Sequence, residues 1–154
     1  MRVDIMSHMR GVDAFPALWR RRTVIELPGG TPCDLMSLPD LVQAKKTQRD
    51  KDWPMIRRLV EAHYFEYRDR ASAAQVGFWL RELRTPVLLL EVARRHPRPA
   101  LRRSRSRPAV ARAVEGDAYA VDEALRAEEL AERQADRAYW VPLVEELGRL
   151  RRAR

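Results

Sequence analysis

The chain has 154 residues, of which 45% are apolar and 34% charged, and a formal net charge of +8. That length holds one domain, or a small domain with a helical appendage, and that composition excludes both a fully disordered chain and a membrane protein. No apolar run nears the roughly 20 residues that span a bilayer, Arg2, Asp4 and Arg10 interrupt any apolar leader, and the lone Cys33 excludes a disulfide framework or a cysteine-based zinc site, so a soluble cytoplasmic protein with no membrane partner is expected.

Arg2 to Met6 alternates polar and apolar residues and reads as a short strand with Val3 and Ile5 on one face and Asp4 on the other. Phe15, Leu18 and Trp19 fall at helical spacing within Val12 to Arg22, with Pro16 in the first turn. Thr23–Leu27 and Thr31–Met36 flank Pro28-Gly29-Gly30 and predict a hairpin, in which Pro32 takes an edge or first position. Ser37 caps the next helix with Asp40 three residues on, and that helix is expected to reach about Gln48. Asp52 is the next N-cap candidate, ahead of a stripe made of Ile56, Leu59, Val60, His63 and Tyr64.

Ser72 opens a helix carrying Val76, Trp79, Leu80 and Leu83; Thr85 and Pro86 open another, which His96-Pro97 ends. Arg94–Arg107 holds seven arginines and no acid, leaving +1 for the other 140 residues, and reads as a basic Pro/Arg linker. Gly116 is a second break. Beyond it Ala120, Ala124, Ala127, Ala131, Ala135 and Ala138 recur at near-heptad spacing, a seam for close helix approach, with Pro142 expected to kink or interrupt the helix. The divisions are therefore 1–68, a partial domain of strand, hairpin and two helices; 69–96, a helical extension; 97–116, a basic linker; and 117–154, a C-terminal helix. The fold class is α+β, mainly helical, with a small N-terminal mixed sheet whose open edge predicts dimerisation or poor solubility.

The thirty basic side chains include only three lysines, and Lys45, Lys46 and Lys51 all lie in one seven-residue stretch. With Arg49 they place four cations in the turn between two helices, where they can receive a polyphosphate. The plain alternative is a solvated helix end in which Arg49 and Lys51 pair with Asp50, Asp52 or another carboxylate. His8, His63 and His96 show no ligand spacing, and His63 reads as a satisfied helix histidine. Cys33 reads as a small hydrophobe, Ser37 as a cap, and Trp53, Tyr64, Phe65 and Tyr67 as core aromatics.

One ordered set of motifs goes further. Val3-Asp4-Ile5, then Gly11-Val12-Asp13-Ala14-Phe15, then Trp19, Arg20 and Arg22, the hairpin, and Ser37-Leu38-Pro39-Asp40-Leu41 followed by Lys45-Lys46, Arg49 and Lys51-Asp52 together resemble the later half of AbiEii-like minimal nucleotidyltransferases. The resemblance covers Arg2 to about Val60. It implies a scaffold that moves a nucleotide from a nucleoside triphosphate to RNA or protein, using two Mg2+ ions held by a D-x-D pair and a third carboxylate. By position Asp4 is that third carboxylate, a metal ligand or the base for the attacking hydroxyl, and Lys45, Lys46, Arg49 and Lys51 are the phosphate-binding cations. The family's glycine-serine turn followed by D-x-D occurs nowhere in these 154 residues; Asp50-Lys51-Asp52 spells the pair but at a helix boundary. The expectation is thus a truncated or non-catalytic nucleotidyltransferase-like chain, of toxin–antitoxin type, with Mg2+ bound only by an intact member and a partner antitoxin or second copy beside it.

Two other readings stand beside this one. Arg94–Arg107 can contact RNA or DNA phosphates as a non-catalytic binding module. Alternatively the chain is a helical assembly protein, in which the Glu115–Arg137 stretch, with eight acids against three arginines, folds back on the basic segment or meets it in a second chain.

Overall fold

The computed structural model describes residues 8–152. A short helix α1 (Phe15–Arg20) leads into the antiparallel strands β1 (Thr23–Glu26) and β2 (Pro32–Leu35), with Thr23 opposite Leu35 and Glu26 opposite Pro32. The turn needs backbone that only glycine adopts freely: Gly29 and Gly30 have φ of 100° and 80°. Seven helices follow: α2 (Leu38–Ala44), α3 (Asp52–Tyr67), α4 (Ala73–Glu82), α5 (Pro86–Arg95), α6 (Pro97–Ser104), α7 (Pro108–Glu115) and α8 (Ala118–Arg152). The expected α+β class with helical dominance is what the chain adopts. The strand expected over Arg2–Met6, and Asp4 with it, lies outside the described residues.

The core is built by the helices. Ile56, Val60 and Tyr64 of α3, Val76, Trp79 and Leu80 of α4, Leu89 and Val92 of α5, Val110 of α7 and Val121 of α8 are buried in one cluster. Tyr64 meets Trp79 edge to face, ring centroids 5.0 Å apart. The hairpin adds nothing to this core. Val24 and Ile25 point to opposite faces and are 55% and 39% exposed. The strands are thus not packed on this core, and polar clasps hold the region instead. Arg21 donates to Asp40 at 2.8 and 3.1 Å and pairs with Asp13 at 2.9 Å, and Arg22 pairs with Asp34 at 2.6 Å.

The basic segment is corrected too. Residues 97–116 are not a linker but the helices α6 and α7, whose Ala100, Ala109, Val110 and Ala113 are buried. The prolines that suggest a linker, Pro97 and Pro108, sit in first helical turns, where the missing N–H costs nothing. Gly116, with φ of 82°, ends α7 as expected of a left-handed cap. The Asp117 carboxylate accepts the Ala120 N–H at 2.9 Å, which starts α8.

The α8 seam also differs from expectation. Ala127, Ala131, Ala135 and Ala138 are exposed, and the inward stripe is Val121, Leu125 and then Asp136, with Glu128 and Glu132 between them half-buried. The inward face thus changes from apolar to acidic along its length. The helix is continuous through Pro142.

Candidate functional site

The α2–α3 turn carries the lysines. Ser37 caps α2 by accepting the Asp40 N–H at 3.4 Å, and its hydroxyl donates to the Asp40 carboxylate at 2.6 Å. The helix ends at Ala44, short of the expected Gln48. The chain then turns on a set of specific bonds. Thr47 Oγ1 donates to Asp52 at 2.6 Å and accepts the Arg49 N–H at 3.1 Å, while its carbonyl accepts Trp53 Nε1 at 2.8 Å. Two α8 residues hold the next position: Asp136 accepts the Gln48 N–H at 2.9 Å, and Arg133 donates to the Gln48 carbonyl at 3.2 Å. Asp52 is therefore a buried anchor for Thr47 rather than the N-cap, a place taken by Lys51.

Lys45, Lys46 and Arg49 line one cavity of about 440 Å³, walled by Leu41, Asp136 and Trp140; Lys51 is exposed and lies outside it. Within that group the cations differ. Arg49 is exposed. Lys45 Nζ stands 3.8 Å from Asp52. Lys46 is buried in a 2.8 Å ion pair with Glu82 of α4, so its charge is already matched. Asp50 is engaged by Arg133 at 2.5 Å.

Behind this turn lies a second assembly of charge that sequence reasoning missed. Arg107, between α6 and α7, is buried and grips Glu128 of α8 with Nε at 3.1 Å from both carboxylate oxygens and Nη2 at 2.9 Å from one. The same guanidinium donates to the carbonyls of Leu80 and Leu83 at 3.0 and 2.8 Å, satisfying the C-terminal end of α4. Arg10 pairs with Glu132 at 2.7 Å, lies 3.5 Å from Asp136 and donates to the Lys46 carbonyl at 2.7 Å. Arg84 lies over the Trp53 ring, 4.7 Å from its centroid, with its nearest carboxylate, Glu128, 3.9 Å away. These groups surround an open cavity of about 630 Å³ between α4, α6 and α8. Burial, and the neighbouring Arg107 charge, lower the Arg84 pKa. The signal available in the sequence was Glu128, Glu132 and Asp136 continuing the Val121–Leu125 face at four-residue steps.

Elsewhere, His63 is satisfied as expected: its Nδ1 accepts Trp79 Nε1 at 2.9 Å, and burial among Tyr67, Phe78 and Trp79 lowers its pKa. Asp4 lies outside the described residues, and among those described no cluster of three His, Cys, Asp or Glu side chains is placed to hold a metal. No described helix is long and apolar enough to cross a membrane. Comparison with protein families, with curated proteins and with solved structures finds no match to this chain.

Proposed function

We propose that the chain is a nucleotidyltransferase-like protein that binds a nucleoside triphosphate at the α2–α3 turn and, with no glycine-serine turn and D-x-D pair in these residues, does not itself transfer the nucleotide. One observation carries the reading: a capped helix delivers Lys45, Lys46 and Arg49 to a single cavity through a turn that five specific hydrogen bonds hold fixed. A fixed turn presents the exposed Arg49 and the half-buried Lys45 to phosphate oxygens without ordering them anew at each binding event. The test is a calorimetric titration with each nucleoside triphosphate, with and without Mg2+. Binding that weakens in Lys45→Ala and Arg49→Ala supports the reading; undiminished binding in both, or none in the parent chain, overturns it.

A second reading draws on α5 and α6. Arg94, Arg98, Arg102 and Arg105 are all exposed within twelve residues, which suits sequence-independent contact with RNA or DNA phosphates. Affinity for a duplex should then fall steeply with salt and be lost when these four become Gln.

A further inference from the structure

The cavity between α4, α6 and α8 carries more positive charge than its carboxylates match. Six cations line it, Arg10, Lys46, Arg81, Arg84, Arg103 and Arg107, against three carboxylates. Each carboxylate already has its own close partner: Glu82 has Lys46 at 2.8 Å, Glu128 has Arg107 at 2.9 Å, and Glu132 has Arg10 at 2.7 Å. Arg84 is left over. Its side chain is 6% exposed, yet Nε and Nη1 donate no hydrogen bond, and its nearest carboxylate is 3.9 Å away and held by Arg107. A buried guanidinium without hydrogen-bond acceptors is costly, and the fold does not relieve the cost by giving Arg84 a carboxylate of its own. The Trp53 ring lies beside the guanidinium, 4.7 Å from its centroid, and the enclosed Nε and Nη1 have no acceptor from the chain. Arg81 and Arg103 add charge at the wall.

We infer that this cavity binds a compact polyphosphate anion, with Arg84 as the buried recognition residue and Arg103 as a cation at the wall. The site is distinct from the Lys45–Arg49 turn and does not rest on the nucleotidyltransferase reading. Lys46 and Arg10 line both cavities, so the two sites share a wall.

The experiment uses the full chain and two probes, inorganic triphosphate and ATP, followed by calorimetry and by thermal shift. Arg84→Met should weaken triphosphate binding about ten- to hundredfold, the worth of a charge-assisted hydrogen bond or two. The same substitution should leave the ligand-free protein as stable as before or more so, because it removes an unmatched buried charge. Arg103→Gln, which changes no buried pair, should weaken binding by a smaller factor and leave the fold unchanged. Equal dependence of ATP and triphosphate on Arg84 assigns the site to a nucleotide's phosphates; dependence of triphosphate alone assigns it to free polyphosphate. No triphosphate binding by the parent chain at about 1 mM probe, or binding that Arg84→Met and Arg103→Gln both leave intact, overturns the inference. Triphosphate and ATP binding both lost in Lys45→Ala and Arg49→Ala but both untouched in Arg84→Met would sink this site while sparing the turn.

Discussion

Arg107 and Glu128, twenty-one residues apart, meet in a fork with three bonds of 2.9 to 3.1 Å, and the remaining Arg107 donors close the carbonyls of Leu80 and Leu83. One side chain thus ties the end of α4, the α6–α7 junction and the middle of α8. This is the intrachain form of the contact expected between the basic and acidic stretches. It uses one arginine of the seven, and the other acids of α8 turn elsewhere, Glu132 to Arg10 and Glu129 to Arg133.

Arg107→Met should destabilise the protein by about 3–5 kcal/mol, because it strands a half-buried carboxylate and two carbonyls. Urea unfolding measures it. The double variant Arg107→Met with Glu128→Leu should recover much of the loss, since replacing both members of a pair by apolar groups removes the stranded charge. If the single change costs less than about 1 kcal/mol, the fork is no anchor.

Stability should rise with pH across the histidine range. Burial lowers the His63 pKa below its ordinary 6.5, so the unfolded chain binds the proton first. The His63 contribution is complete above pH 6.5 and declines as pH falls from there to the folded value, where protonated Nδ1 no longer accepts the Trp79 N–H. His96, also lowered by burial, adds to the same slope. Unfolding midpoints against pH should therefore flatten in His63→Leu. An unchanged slope in that variant would count against the Trp79 bond.

The tether of α1 to α2 should loosen in acid. The Arg21 guanidinium holds the Asp40 carboxyl below its ordinary 3.8, helped by the Ser37 hydroxyl and opposed by partial burial. Its contribution is present above pH 3.8 and is lost as pH falls through the lower folded value. Asp40→Asn should remove that acid transition and cost about 1 kcal/mol, cap and ion pair together. Hydrogen exchange at α1 and the hairpin measures it, with the α3–α5 core as the unaffected reference.

Trp79→Ala should cost about 3–5 kcal/mol, as expected for a fully buried large aromatic. Phe65→Ala, on the exposed side of α3, should cost less than about 1 kcal/mol. Chemical denaturation of the two variants side by side checks that α4 buries Trp79 and that α3 turns Phe65 outward.

The helices were legible where apolar periodicity and caps agree. Ser72 forms its capping box with Gln75, and Val76, Trp79, Leu80 and Leu83 are buried as their spacing indicates. The hairpin turn was legible from Pro28-Gly29-Gly30, whereas its lack of packing was not, because alternation says which residues share a face and nothing about whether that face is covered. Proline and arginine density hid α6 and α7: the pattern shared by linkers and by short helices that start on proline is decided by Ala100, Ala109 and Ala113, whose small size reads as neutral until a neighbour packs on them. Of the site, the lysine turn was legible from clustering. The Arg84 cavity was not, because it is assembled from residues as far apart as Arg10 and Glu132, and single-sequence patterning reports only near neighbours.

Pro142 within α8 has an energetic effect that the helix's continuous outline conceals. Its ring nitrogen has no proton to offer the carbonyl of Ala138, so the hydrogen-bonded ladder lacks one rung there even though the rod runs on to Arg152. Residues 143–152 then depend on their own few turns, too short a stretch to stand alone in water. The distal arm should therefore open more readily than the trunk that carries Glu128, Glu132 and Asp136.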